Sequence, residues 1–168
     1  MSKRAFLVLG GESTGTRLVT RLLIAAGCYG DGDHVQRLDT HIPEDKPLLV
    51  WRRSVPHANE MPNIAEMALA LVRAGYVVTA VVTVRDWLCT AQSQVKAPHA
   101  PNDAAALYSL QNAYRHIFAE LPAFVPYIMV NYESLALQPE QGAANLYSLL
   151  NLTPETAVYI YNGNEKYA

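Results

Sequence analysis

The stretch Ala5-Phe6-Leu7-Val8-Leu9-Gly10-Gly11-Glu12-Ser13-Thr14-Gly15-Thr16-Arg17 decides the fold. Five apolar residues run without alternation, the pattern of a strand buried on both faces. A glycine- and hydroxyl-rich turn follows. Leu18, Leu22 and Leu23 then recur at helical spacing, with Val19 and Ala26 widening the stripe and Gly27 ending the helix. The same order repeats downstream. Leu48 to Trp51 reads as a strand and Asn63 to Ala74 as a helix. Tyr76 to Val84, rich in valine, is the strongest strand. Asp86 caps a helix carrying Cys89 and Ser93, and Pro98 and Pro101 break the chain. Asp103 to Glu120 reads as a helix, Tyr127 to Asn131 as a strand and Pro139 to Leu150 as a helix. This alternation predicts an α/β fold of three layers, a parallel sheet flanked by helices, in a single domain over 1–168.

Composition narrows the function classes. The chain has 168 residues, 51% hydrophobic and 17% charged, enough for a substantial core and too apolar for disorder throughout. Its 13 basic and 15 acidic side chains give a net charge of −2. That argues against nucleic acid as a partner, although a local basic site stays open. No apolar run reaches the length of a membrane span. Lys3 and Arg4 precede an apolar stretch too short for a signal peptide, so a first strand is the reading. Cys28 and Cys89 make no disulfide framework, and a cytoplasmic location is expected. Tyr159, Tyr161 and Tyr167 near the C-terminus either cover the core or form an interface, as in a homo-oligomer.

Ligands of parallel α/β sheets sit beyond the carboxyl ends of the strands. The first such place is Gly10 to Arg17. There glycines let the backbone wrap an anion, and the helix N-terminus points N–H groups at it. Ser13, Thr14 and Thr16 add hydroxyls. Gly10 to Gly15 has P-loop spacing, but Thr16 and Arg17 stand where its Lys is expected. Glu12 must turn away from a phosphate or be paired. The second place is Arg85, at the end of the valine-rich strand, with Ser93 two helical turns further on. Arginine offers a planar fork to phosphate oxygens and serine a hydroxyl.

Together these segments resemble the sulfotransferases that use 3′-phosphoadenosine 5′-phosphosulfate (PAPS). Ser13-Thr14-Gly15-Thr16 is similar to that family's 5′-phosphosulfate loop, and Val84-Arg85-Asp86 with Ser93 to its 3′-phosphate motif. Asn131-Tyr132-Glu133-Ser134-Leu135, followed by Pro139-Glu140 and Leu149-Leu150-Asn151-Leu152, is similar to its Tyr-Glu-Asp-Leu segment. The resemblance implies a P-loop NTPase/sulfotransferase-like fold and transfer of a sulfuryl group from PAPS to a hydroxyl or amine of an unidentified acceptor. It implies that Ser13, Thr14, Gly15, Thr16 and Arg17 hold the 5′ side of the donor and that Arg85 and Ser93 hold the 3′-phosphate. Tyr132 is either near the nucleotide or a buried strand-end tyrosine. Two departures stand out. Ser13 replaces the basic residue that stabilises the leaving oxygen, a charge that Arg17, Arg52 or Arg53 would have to supply. The chain is also short for the family.

An acceptor hydroxyl benefits from a base. His57 is the first candidate, because imidazole titrates near neutral pH, although it stands about two residues from the family's position. Glu60 is the second. Asp31, Asp33, His34 and His41 are too few and too irregularly spaced for a metal site, so no metal is expected. His99 and His116 carry no signal. Lys166 can reach a phosphate, but it lies in a tail whose pattern favours disorder. Two other classes remain: an ATP-dependent, kinase-like P-loop enzyme, which lacks the phosphate lysine and the metal carboxylate, and a non-catalytic nucleotide-binding protein of the same fold, favoured by Ser13.

Overall fold

The computed structural model describes residues 2–58 and 60–167. Four strands form one sheet: β1 (Lys3–Gly10), β2 (Leu48–Ser54), β3 (Tyr76–Val84) and β4 (Tyr127–Asn131). Their order is β2-β1-β3-β4 and every pair is parallel. The α/β class read from the apolar runs is the one observed. β1 is central, and its last six residues are buried, which is why its sequence lacks alternation.

Helices cover both faces. One face packs under α2 (Ile64–Arg73) and α4 (Asp103–Glu120), where Leu7, Leu9, Trp51 and Val82 meet Met67, Leu71, Ala113 and Ile117. The other packs under α1 (Thr16–Ala25) and α6 (Pro139–Leu150), where Phe6, Val8, Val50 and Val81 meet Leu22, Leu23, Leu146 and Leu150. Each fully buried aliphatic side chain of this kind contributes about 1.5–3 kcal/mol. α3 (Trp87–Lys96) packs beside α4 through Ala91, Ala100 and Ala106. Both cysteines are free, and burial pushes the Cys28 thiol up to about 12. Among the described residues, no helix is long and apolar enough to cross a membrane.

The structure departs from expectation in three places. β2 runs three residues beyond Trp51, so Arg52, Arg53 and Ser54 belong to the strand rather than to a loop. The segment after β4 is a short helix, α5 (Tyr132–Leu137), capped by Asn131. The tail is ordered: Leu152, Val158 and Ile160 pack on the α1–α6 core, and Glu165–Tyr167 form a 3₁₀ turn. Its aliphatic residues are too widely spaced to register as an element, yet each finds an apolar neighbour.

Candidate functional site

The carboxyl ends of β1, β2 and β3 open into one cleft of about 970 Å³. Its floor is the turn between β1 and α1. Gly15 adopts φ +96 there, a conformation that favours glycine, and a Cβ on it would lie 2.8 Å from the Tyr132 ring. Asn63, Asp86, Asn102 and Asn131 cap α2, α3, α4 and α5 with their side chains. α1 has no side-chain cap and no acidic residue in its first turn. Its N–H groups and positive dipole end therefore face the cleft unanswered, a fit for an anion.

Of the residues singled out from sequence, Ser13, Gly15, Thr16, Arg17, His57, Arg85 and Ser93 line this cleft. Thr14 does not. Its hydroxyl turns inward, donating to the Gly11 carbonyl at 2.7 Å and sharing a 2.7 Å hydrogen bond with Thr83. Thr14 is a strut under the turn, with its hydroxyl directed away from any ligand in the cleft. Arg53 is also redirected. Strand alternation sends Arg52 to the cleft side and Arg53 to the opposite face, where its Nη2 meets Glu60 at 3.1 Å. Glu60 is occupied by this pair and lies outside the cleft lining, so its candidacy as a base falls.

Arg85 is held from three sides. Its Nη1 donates to the Ser13 carbonyl at 2.8 Å, its Nε to Asn164 Oδ1 at 2.7 Å and its Nη2 to the Gly163 carbonyl at 3.3 Å. Asn164 Nδ2 donates to Glu133 Oε1 at 2.7 Å, and that oxygen also accepts the Asp86 N–H at 3.0 Å. This network fixes the guanidinium against the first turn. Ser93 faces Tyr167. Desolvation pushes the Tyr167 hydroxyl up, but hydrogen bonding with Ser93 and Lys166, and the charges of Lys166 and Arg85, bring it below its ordinary value.

His57 sits half-buried at the cleft edge. Burial, then the nearby Arg53 charge, holds its imidazole below its ordinary pKa, with Glu12 opposing. The neutral, proton-accepting form is thus favoured. Glu12 is turned from the turn's anion face. Its Oε1 accepts the Ala58 N–H at 3.4 Å, and its Oε2 lies 3.8 Å from His99 Nδ1. His99 is a cleft residue that carried no signal in sequence, because the segment between Pro98 and Pro101 has no periodicity. The tail residues Gly163 and Lys166 also line the cleft. The Asp31 cluster is a turn: its carboxylate accepts the Asp33 and His34 N–H groups and the His34 ring, which hold it down at about 2.

No protein-family model matches this chain, and no curated protein sequence matches it either. Among solved structures it is similar to the sulfotransferase domain of the Synechococcus PCC 7002 olefin synthase. The two share 15% identity over 89% of this chain and 74% of that one, with a TM-score of 0.58. The likeness is one of fold: this chain has the α/β architecture of a sulfotransferase domain.

Proposed function

We propose that this chain is a sulfotransferase that moves a sulfuryl group from PAPS to a hydroxyl or amine. The observation that carries the reading is the joining of Arg85 to the uncapped first turn. The guanidinium is hydrogen-bonded to Ser13, and Ser93 lines the same cleft within the same fold. A bisphosphorylated donor needs two anion sites at a fixed separation, and these two elements offer them. The N–H groups of the turn and of the start of α1, with Thr16, hold the 5′ side; Arg85 and Ser93 hold the 3′-phosphate.

In the transfer, the acceptor oxygen or nitrogen attacks sulfur and loses its proton to His57. The bond from sulfur to the bridging oxygen breaks, and the electron pair leaves with the 5′-phosphate. Negative charge grows on that oxygen. Arg17, exposed on the rim one residue into α1, is the cation placed to answer it in the absence of a basic residue at Ser13.

Calorimetric titration with 3′,5′-adenosine bisphosphate, against ATP and GTP with magnesium, tests the reading. The bisphosphate should bind far more tightly than either triphosphate. Arg85→Ala should weaken it by roughly 10- to 150-fold, the loss of about 1.5–3 kcal/mol for a charge-assisted contact. Ser93→Ala, which leaves the fold's supports in place, should weaken it less but measurably. Preference for ATP would favour the kinase-like reading instead. Bisphosphate binding without PAPS turnover on any acceptor would favour a non-catalytic binder.

A further inference from the structure

The donor reading leaves Arg52 in the cleft unused. Arg52 reaches the wall from β2 with 5% of its surface exposed. Its Nη2 donates to the Asp33 carbonyl at 2.7 Å, and its Nε is buried with no partner among the described residues. Its neighbours have counter-ions: Arg21 is paired with Asp33 at 2.6 Å, and Arg53, whose Nε and Nη1 are likewise buried without a partner among the described residues but which lies outside the cleft lining, is paired with Glu60 at 3.1 Å. No described carboxylate forms an ion pair with Arg52, and among the described residues its guanidinium donates only to a neutral carbonyl. A buried guanidinium without a counter-charge is costly, and a fold tolerates it where a ligand supplies the missing anion. Burial, then the charges of Arg17 and Arg21, lower the Arg52 pKa against the opposing pull of Asp31 and Asp33. Arg37 lines the same wall.

Arg52 is also in the wrong place for the donor's 3′-phosphate. In the strand order β2-β1-β3-β4, β2 and β3 flank β1, so Arg52 and Arg85 stand on opposite sides of the first turn. Two strand spacings put their backbones about 10 Å apart. The β2 side of the turn is where His57 lies, and therefore where an acceptor would bring its nucleophile.

We propose that Arg52 and Arg37 form a subsite for an anionic group on the acceptor, a carboxylate, sulfate or phosphate carried beside the hydroxyl or amine that receives the sulfuryl group. This assignment rests on the donor reading for its place in the reaction, and on the unpaired guanidinium for the anion itself. An uncharged phenol or alcohol would leave Arg52 buried and unanswered, so the subsite selects acidic acceptors from neutral ones of the same shape.

The test follows the Arg52 Nε–H resonance in protein carrying ¹⁵N-labelled arginine, assigned by its loss in Arg52→Gln. Protein saturated with PAPS, so that the donor's own sulfuryl position is filled, is titrated in parallel with acetate, inorganic sulfate and inorganic phosphate. The expected result is a saturable shift of this resonance with at least one anion, and the strongest of the three identifies the acidic group. Followed through the backbone amide resonance of the equally labelled Arg37, Arg52→Gln should weaken that anion at least ten-fold while changing the affinity for 3′,5′-adenosine bisphosphate, read by calorimetry, less than two-fold. Arg85→Ala should do the reverse. A resonance unmoved by all three anions overturns the subsite. So does an anion effect that disappears when PAPS binds, because Arg52 then belongs to the donor. If PAPS itself does not bind, the sulfotransferase reading fails, and the same titrations on the free protein still decide whether Arg52 holds an anion.

Discussion

The Arg85 guanidinium stands over the Tyr132 ring, 4.6 Å from its centroid, while the Tyr132 hydroxyl holds the C-terminal tail. That hydroxyl accepts the Gly163 N–H at 2.8 Å and donates to the Tyr161 carbonyl at 3.2 Å. The ring edge also fills the space left by the missing Cβ of Gly15. One aromatic side chain therefore sets the first turn, the arginine of β3 and the tail in a common register.

Replacing Tyr132 separates these roles. Tyr132→Phe keeps the ring under Arg85 and removes both tail hydrogen bonds, leaving the buried Gly163 N–H without its acceptor. It should destabilise the protein by about 1–3 kcal/mol. Amide exchange at residues 161–164 should quicken while the strands stay protected. Tyr132→Leu also removes the π face, worth about 0.5–2 kcal/mol to a guanidinium, and should weaken bisphosphate binding where Tyr132→Phe barely does. Urea denaturation with hydrogen exchange reads the first effect and calorimetry the second. Equal exchange rates in wild type and Tyr132→Phe would show that the hydroxyl anchors nothing.

Gly15→Ala combines a strained backbone with a collision. The residue sits at φ +96, and the new methyl would start 2.8 Å from the Tyr132 ring. Strain of this kind costs about 1–3 kcal/mol. Because the turn must move to relieve it, the N–H groups of α1 shift as well. Bisphosphate affinity should fall more than ten-fold in protein that is still folded by circular dichroism. Unchanged affinity would mean that the turn does not hold the nucleotide.

Thr14 shows what sequence reading could reach and what it could not. The strands were legible because burial on both faces writes an unbroken apolar run, as in Ala5 to Leu9. Most helices were legible because their apolar stripes have a period, and Asp86 announces a cap. The hydroxyls of the first turn looked alike in sequence, yet Thr14 faces Thr83 and Ser13 faces the cleft. The sequence around them does not distinguish them, because Thr14 is turned inward by the Gly11 carbonyl of the folded turn and by Thr83, a residue 69 positions away. Arg52 and Arg53 were equally ambiguous until the extra length of β2 imposed alternation on them. The tail's grip on Arg85 through Gly163 and Asn164 is a long-range contact with no periodic trace.

The Thr14 assignment has its own consequence. Thr14→Val replaces the hydroxyl with a methyl of similar shape inside a buried network that includes Thr83. It should lower stability by about 1–3 kcal/mol through the polar groups it leaves unpaired. Because the hydroxyl points away from the cleft, the bisphosphate dissociation constant should stay within about three-fold of wild type, under 1 kcal/mol. A large loss of affinity with intact stability would restore Thr14 as a ligand contact.

The pH dependence of His57 gives the most direct view of the proposed base. Its pKa lies below the ordinary 6.5 because burial disfavours the charged ring and Arg53 repels its proton, while Glu12 pulls the other way. A base acts when deprotonated, so a lowered pKa extends the active form to lower pH. The ascending limb of kcat/KM, which reports the free enzyme, should have its midpoint below 6.5. Arg53→Gln removes the repelling charge and should move that midpoint up. Its partner Glu60 is 62% exposed, so water can solvate the carboxylate left behind. Glu12→Gln removes the attracting charge and should move the midpoint down. His57→Gln should remove the limb and lower the rate by about 10²–10⁴. The His57 ring proton followed by NMR supplies the same three shifts without any acceptor. A midpoint at or above 6.5 in the wild type, or one indifferent to Arg53→Gln, would dismiss His57 as the group behind the limb. Arg53 would then be only a buried partner of Glu60.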